Sequence, residues 1–313
     1  HLRSICLGHF NLTFIHGTLM ENIQNCPVCG SPNSTLKFKA KDYTVSNEMF
    51  HIVTCDSCRL IYTNPRPAAN EAGPYYHASA YISHSDTNEG IVNKLYHAVR
   101  KFTLKSKTNW IEAEKKGNKE LLDIGCGNGH FLAAAKEKGW NINGVELDTE
   151  TAARAAKLTG LTIASSLKEI DPKKQFQVIT LWHVLEHVYE LEEYFQFFKS
   201  RLAIDGKLLL ALPNPASFDA NYFEEYWAAY DVPRHIYHFT PATISALAAK
   251  YGFKLKKSRG LIFDSFYISL LSNEYKTGNK RLLHSLCIGL ISNLRATLGK
   301  PNYSSNLYIF ENA

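Results

Sequence analysis

Apolar segments alternate with helical ones through the middle of the chain. From Lys119 onward, short apolar runs are separated by stretches whose apolar positions repeat at helical spacing. The apolar runs are ELLDIG, INGVELD, LTIASS, FQVITLWHV and KLLLALPN. Such alternation predicts parallel βαβ units, with helices packed against both faces of a sheet.

Flanking patterns extend this core in both directions. Before it, Ile91, Leu95, Val99, Phe102 and Leu104 recur at mostly helical spacing, which predicts an amphipathic basic helix. After it come a helix (ATISALAAKYG), a strand (FKLKKSRG), a second helix (RLLHSLCIGLISNLRATL) and a last strand (SSNLYIF). We therefore predict these segments: a leader or cloning remnant (1–19), a cysteine-bearing module (20–68), a helical linker or lid (69–117), the α/β core (118–260) and a C-terminal helical insertion with the last strand (261–313).

The boundary at Met20 depends on three features of the sequence. Residues 1–19 contain no small-residue cleavage site, position 1 is not Met, and Met20 is followed directly by the polar stretch ENIQN. Within the core, residues 213–245 interrupt the alternation with many aromatic and histidine residues. We predict that these residues contact the substrate, and we call them the acceptor segment.

Composition narrows the class of protein. The chain has 313 residues, of which 45% are hydrophobic, and this is enough for a full α/β core with a small added module. Lys and Arg outnumber Asp and Glu by 35 to 29, a mild excess that is weak evidence for nucleic acid binding. We expect no nucleic acid partner on this basis, without excluding one.

Two cysteine pairs indicate a metal site. Cys26-x-x-Cys29 and Cys55-x-x-Cys58 have the spacing of two knuckles that meet around one tetrahedral Zn²⁺. Four thiolate ligands leave no open position for water, so the site is expected to be a structural zinc ribbon. Arg59 stands where many ribbons have glycine. Thiols used in this way also favour a reducing, cytoplasmic compartment.

A glycine loop follows the first core strand. Gly125, Gly127 and Gly129 form G-x-G-x-G between a strand and a helix, and Glu146 ends the next strand. In a βαβ unit this arrangement binds an adenosine ligand, and the acid accepts hydrogen bonds from the ribose hydroxyls. A dinucleotide site favours G-x-G-x-x-G, whereas Asp123 beside this loop would attract an ammonium group. These features favour S-adenosylmethionine, with an ordinary dinucleotide-binding turn as the alternative.

From LLDIGCGNG through VELD and LWHVLEHV to GKLLLALPN, the sequence resembles class I S-adenosylmethionine-dependent methyltransferases. The resemblance implies a three-layer Rossmann-like sandwich around a mostly parallel seven-stranded sheet. It also implies that Asp123 and the three loop glycines line the methionine side, and that Glu146 holds the ribose. The further cofactor contacts that it implies are Leu147, Asp148, Ser166, Leu167 and His183. The family often has an acid after the third strand, where this chain has Ser165, Ser166 and Leu167.

Candidate acceptor residues follow the fourth and fifth strands. His183 ends one strand, and the segment YDVPRHIYH brings Tyr230, Arg234 and His235 close together in sequence. A histidine suits the role of base in methyl transfer. We expect His235 or His183 to be that base, Arg234 to clamp an anionic acceptor and Tyr230 to position it. His235 and His238 could also bind a metal ion, although hydrogen bonding is the commoner role.

Other segments leave alternatives open. Tyr81, Ser83 and His84 are predicted to form either a lid over the cofactor or a plain linker. The C-terminal helix is expected to pack on the core or on a second subunit, with contact to a membrane or a lipid-linked acceptor as the alternative. We expect a small-molecule acceptor: a sugar, nucleotide-sugar or lipid-linked metabolite, methylated on oxygen or carbon. The alternatives are an RNA or protein methyltransferase that grips its substrate with the ribbon, and a non-catalytic cofactor-binding protein.

Overall fold

The structure is a computed structural model that describes residues 5–7, 10–15, 18–76, 91–115 and 117–313. In this part of the chain the strands are β1 (Ile5–Leu7), β2 (Phe10–Ile15), β3 (Thr18–Ile23), β4 (Ser34–Lys41), β5 (Met49–Cys55), β6 (Ile61–Thr63), β7 (Arg66–Pro67), β8 (Glu120–Ile124), β9 (Asn141–Val145), β10 (Phe176–Trp182), β11 (Leu202–Pro213), β12 (Tyr237–His238), β13 (Phe253–Gly260) and β14 (Ser305–Asn312). The α-helices are α1 (Ile91–Glu114), α2 (His130–Glu137), α3 (Thr149–Thr159), α4 (Leu191–Arg201), α5 (Phe218–Phe223), α6 (Pro241–Lys250), α7 (Asp264–Thr277) and α8 (Leu282–Leu298).

A mixed sheet forms the centre of the fold, with strand order β13-β14-β11-β10-β8-β9. The four strands from β11 to β9 are parallel, and β14 runs antiparallel to both of its neighbours, β11 and β13. The predicted Rossmann-like α/β fold is thus confirmed, but the described sheet has six strands rather than seven. The segment LTIASS contributes only a single bridge, between Val145 and Ala164. Pairing ends there because the Ser165 amide donates to the Glu169 carboxylate, at 2.9 Å, instead of to a neighbouring strand.

The cysteine-bearing module is continuous with the core. Its main sheet has the order β12-β6-β5-β4, so a strand of the acceptor segment pairs with strands from the N-terminal region. Cys26, Val28 and Cys55 belong to the same hydrophobic cluster as Phe176 and Phe195 of the central layers. The module and the core therefore share buried surface. A second sheet has the strand order β1-β2-β3-β7. The interpretation of residues 1–19 as a leader stays a prediction.

The C-terminal helices lie against each other and against α5. The predicted tail helix is confirmed as α8, whereas α5 and α7 were not predicted from sequence. Among the residues described, no helix is both long enough and apolar enough to cross a membrane. One face of α8 nevertheless exposes large apolar side chains: Leu282, Leu283, Leu286, Leu290, Ile291, Leu294 and Leu298.

Candidate active site

The glycine loop has the backbone that its sequence predicts. Gly125, Gly127 and Gly129 all have positive φ, at +69°, +54° and +79°. A Cβ on Gly125 would come within 2.4 Å of the Val184 side chain, whereas a Cβ on Gly127 would meet no atom within 4 Å. Gly125 is therefore needed for packing of the loop against the segment after β10. Gly127 faces open space, as a ligand that lies against the backbone requires.

A buried acid lies beneath this loop. Asp123 is only 1% exposed and accepts a hydrogen bond of 2.6 Å from Thr180 Oγ1 on the neighbouring strand. Burial raises the pKa of Asp123 to about 7, against the opposing effects of Thr180 and of Lys107. Lys107, on α1, lies 4.3 Å from the centre of the Trp182 ring. Desolvation lowers the pKa of this lysine, and its attraction to Asp123 and Asp264 opposes the shift.

Glu146 connects the loop to the end of β9. Its carboxylate accepts hydrogen bonds from the Gly127 amide at 2.9 Å and from the Asp148 amide at 3.1 Å. Asp148 in turn caps α3 by accepting from the Thr151 amide, and the Leu147 side chain is exposed. Glu146 thus lies beside the open face of Gly127, and its contact with the ribose stays a prediction.

The segment after the bridge at Ala164 has an acid that the sequence pattern did not single out. Ser166 precedes a short 3₁₀ helix, and the Leu167 side chain is buried. Glu169 folds back so that both of its carboxylate oxygens accept hydrogen bonds from Ser165. Glu169 is thus the first acid after the bridge at Ala164, and its carboxylate is bound to Ser165. The contacts of Ser166 and Leu167 with the cofactor stay predictions.

His183 stands at the carboxyl end of β10 with a strained backbone. Its φ is +59°, and its amide donates to the Ala211 carbonyl on β11. The ring Nδ1 lies 3.5 Å from Glu186 Oε1, and Nε2 lies 3.3 Å from Asp264 Oδ2. Burial opposes ionisation of the ring, but Asp264 and Glu186 outweigh it and raise the pKa of His183 to about 9. The side chain remains 36% exposed.

His235 and His183 both lie near the Glu186 carboxylate. The His235 Nδ1 donates to the Ala229 carbonyl at 2.8 Å, because a carbonyl can only accept. Its ring packs edge-on against the ring of His187, with centroids 4.6 Å apart. His238 points elsewhere, toward Thr63 on β6, and it is buried. The pairing of His235 with His238 as metal ligands is therefore replaced by a grouping of His235 with Glu186 and His187.

The side chains of Arg234 and Tyr230 are buried and contact other groups of the protein. The Arg234 guanidinium is 2% exposed; it donates twice to Asp231, once to Asp42 and once to the Tyr75 carbonyl. Tyr230 is buried with its ring edge-on to those of Phe38, Trp227 and His238. This geometry corrects the expectation of an acceptor clamp, because the donors of Arg234 are used within the protein. For Tyr230, a positioning role stays a prediction.

The four cysteines of the two pairs converge. The Sγ atoms of Cys26 and Cys58 are 3.5 Å apart, as are those of Cys29 and Cys55. Tetrahedral Zn²⁺ with Zn–S bonds of about 2.3 Å places sulfur atoms about 3.8 Å apart, so the thiols fit this ion. Arg59 has a φ of +67°, and it occupies the same left-handed position as Gly30 at +77°. The arginine is therefore no obstacle to the second knuckle.

Several residues of the site could not be found from sequence. Lys107 is one of many lysines on α1, and Asp264 begins a helix that was not predicted. Glu186 had a signal, since it lies three residues after His183 in WHVLEH. Tyr81, Ser83 and His84 lie outside the described residues.

Comparisons with known proteins agree with this geometry. A family profile described as a methyltransferase domain matches residues 96–258, just over half of the chain. The ubiquinone biosynthesis O-methyltransferase of Rickettsia prowazekii is 24% identical over 216 residues, which cover 63% of this chain and 82% of that protein. The enzyme of the same name from Actinobacillus pleuropneumoniae is 31% identical over 120 residues, or 34% of this chain and 51% of that protein.

Solved structures give more distant similarities. Magnesium protoporphyrin IX methyltransferase from Synechocystis, with bound SAH, has a TM-score of 0.47 at 13% identity, covering 76% of this chain and 97% of its own. The cyclopropane synthase MmaA2 from Mycobacterium tuberculosis has a TM-score of 0.43 at 18% identity, covering 66% and 82%. With the family match spanning the glycine loop, Glu146 and His183, the chain belongs to the methyltransferase-domain family and is a class I S-adenosylmethionine-dependent methyltransferase.

Proposed function

We propose that the enzyme transfers the methyl group of S-adenosylmethionine to a hydroxyl oxygen of a small molecule with an apolar, lipid-linked portion. The observation that carries this proposal is the position of His183, a partly exposed imidazole between Glu186 and Asp264 at the end of β10. In a doubly wound sheet, ligands bind beyond the carboxyl ends of the strands. His183 therefore lies where donor and acceptor would meet.

The donor would occupy the open face of the glycine loop. Asp123 would attract the ammonium of the methionine part, Lys107 its carboxylate, and Glu146 the ribose hydroxyls. Lys107 and Asp123 attract each other, and a cation and an anion held near the loop support a zwitterionic ligand there. We propose in addition that four residues contact the adenosine part of the donor: Leu147, Asp148, Ser166 and Leu167.

Apolar surface beside His183 supports an apolar acceptor. Phe102 is 55% exposed and packs against Phe263, the residue before Asp264, while Ile262 is 46% exposed. The next helix along the chain, α8, also exposes an apolar face, which a membrane surface or lipid tail would cover. The relatives named for ubiquinone biosynthesis O-methylation support transfer to oxygen rather than to carbon.

In the reaction, the acceptor oxygen forms a bond to the methyl carbon as the C–S bond breaks. The electron pair of that bond stays on sulfur, which gives S-adenosylhomocysteine, and the hydroxyl proton passes to His183. Glu186 and Asp264 would stabilise the imidazolium that results. Because they raise the pKa of His183 to about 9, the neutral form that accepts the proton is the minor one at pH 7, and kcat should rise as the pH increases toward 9. His235, the other candidate base, has a side chain that is only 12% exposed, against 36% for His183, so we assign the proton transfer to His183.

Isotope transfer tests the proposal. Wild-type protein is incubated with labelled methyl donor and lipid and polar extract fractions, and the labelled product is identified by mass spectrometry. We expect an O-methylated product in the lipid fraction. His183→Gln should lower kcat by about 10²- to 10⁴-fold with unchanged donor affinity, and His284→Gln on α8 is the matched control. Label in RNA or protein, or full activity of His183→Gln, would refute this assignment.

We further propose that the cysteine cluster holds structural zinc and that the enzyme works in the cytoplasm. All six cysteines whose side chains are described are free thiols, and four of them converge with metal-binding geometry. A reducing compartment keeps such thiols available to the ion.

A further inference from the structure

The Glu186 carboxylate is buried without adequate partners. Glu186 is 1% exposed, and neither of its oxygens accepts a hydrogen bond from any residue that the structure describes. Its nearest cationic group is the His183 ring, at 3.5 Å and without hydrogen-bond geometry. Burying a carboxylate in this way is costly unless a cation compensates it. The fold therefore places a negative charge at the site that the protein itself satisfies only in part.

Two histidines face the same carboxylate. One nitrogen of His187, one nitrogen of His235 and one oxygen of Glu186 all lie within 4.8 Å of one another. Glu186 and His187 come from the short helix after β10, and His235 comes from the acceptor segment. Three ligand atoms from two separate segments thus converge on one point beside His183.

Hydrogen bonds on the far side of each ring select the metal-binding tautomer. The His235 Nδ1 lies 2.8 Å from the Ala229 carbonyl, and the His187 Nδ1 lies 3.0 Å from the Arg234 carbonyl. The Tyr76 hydroxyl, 3.1 Å from the same His187 nitrogen, donates to the Arg234 carbonyl. Carbonyls only accept, so each Nδ1 carries the proton and each Nε2 keeps its lone pair. A backbone carbonyl on the other ring nitrogen is the usual outer contact of a metal-bound histidine.

We propose that Glu186, His187 and His235 form a site for a divalent transition-metal cation, separate from the cysteine cluster. Two imidazole nitrogens and one carboxylate oxygen suit Zn²⁺, Mn²⁺, Fe²⁺ or Co²⁺ and leave coordination positions open. Both histidines are only partly buried, so a ligand from the acceptor side can reach the ion. Its catalytic consequence rests on the proposed function: the cation binds the acceptor hydroxyl and makes its proton easier to remove.

Cobalt binding tests the site on the zinc-replete full-length protein. Wild type is expected to bind one Co²⁺ per chain with visible d–d bands and without the intense thiolate charge-transfer band of a cysteine site. Glu186→Gln keeps the side-chain volume and should weaken this binding at least about 100-fold, and His235→Ala should do the same. Glu190→Gln, an exposed carboxylate one turn further along the chain, is the matched control.

Two further measurements separate the outcomes. Without added metal, Glu186→Gln should still fold, at an unfolding temperature lowered by the loss of the attraction between Glu186 and the His183 ring. Co²⁺ should raise the unfolding temperature of wild type alone. Absence of saturable Co²⁺ binding to wild type, or equal binding by wild type and folded Glu186→Gln, would overturn the metal site and leave methyl transfer untouched. Metal binding without transfer to any hydroxyl would instead overturn the proposed function.

Discussion

Replacing Asp123 by Asn should change how the stability of the protein depends on pH. Burial raises the pKa of Asp123 from 3.8 to about 7, so the folded protein holds this proton more tightly than the unfolded chain does. The resulting stability is fully present below pH 3.8 and is lost as the pH rises through about 7. Because one pKa unit corresponds to about 1.4 kcal/mol, the loss amounts to roughly 4 kcal/mol.

Asn cannot ionise, and its side-chain oxygen can still accept the hydrogen bond from Thr180. At pH 8 we therefore expect Asp123→Asn to raise the free energy of unfolding by as much as about 4 kcal/mol, with almost no gain near pH 4. The same substitution should weaken S-adenosylmethionine binding at pH 8, since the carboxylate that attracts the ammonium is gone.

Urea unfolding followed by tryptophan fluorescence, at several pH values without ligand, measures the first effect, and titration calorimetry measures the second. Asp205→Asn, at an exposed site, controls for removal of a carboxylate. If wild type and Asp123→Asn lose stability in parallel between pH 4 and pH 8, the buried acid does not ionise as described. Tighter donor binding by the variant would contradict its role in the cofactor site.

Three further predictions concern the glycine loop, the metal cluster and the acceptor segment. Gly125→Ala should lower the unfolding temperature, because its Cβ would lie 2.4 Å from a valine side chain, whereas Gly127→Ala should cost only about 1–2 kcal/mol of stability and weaken donor binding in calorimetry. Cys55→Ser should abolish stoichiometric zinc in elemental analysis and destabilise the whole chain in one calorimetric transition. Arg234→Met should cost about 3–5 kcal/mol in urea unfolding, because Asp42 keeps its hydrogen bonds from Thr44, Val45 and Ser46 but loses the cation that compensates its buried charge; a variant of native stability would revive the clamp role.

The local pattern of apolar residues was sufficient to predict the strands of the central sheet. The runs FQVITLWHV and KLLLALPN are buried on both faces, and continuous apolar runs of this kind predict parallel strands well. LTIASS has a similar pattern but pairs only at Ala164, because the side chain of Glu169 takes the Ser165 amide. A competing hydrogen bond between a side chain and the backbone is not visible in the spacing of apolar residues.

The candidate site was harder to predict because its charges pair over long sequence distances. Arg234 is a typical clamp residue by its position in YDVPRHIYH, yet its partner Asp42 lies 192 residues away. Likewise, the proximity of Asp264 to His183 depends on where α7 begins, and no motif marks that point. The cofactor loop could be predicted because its residues are adjacent in sequence, whereas the acceptor side is assembled from segments far apart in sequence.

The position of the ribbon gives the cysteine cluster a role in the acceptor site. Thr63, on the strand that follows the second cysteine pair, donates its hydroxyl to the His235 carbonyl at 3.0 Å and its amide to the Ile236 carbonyl at 3.0 Å. Asp42, between the two pairs, holds Arg234 from the other side. His235 is thus fixed between two anchors that both belong to the cysteine-bearing module. The module therefore supports the acceptor half of the site.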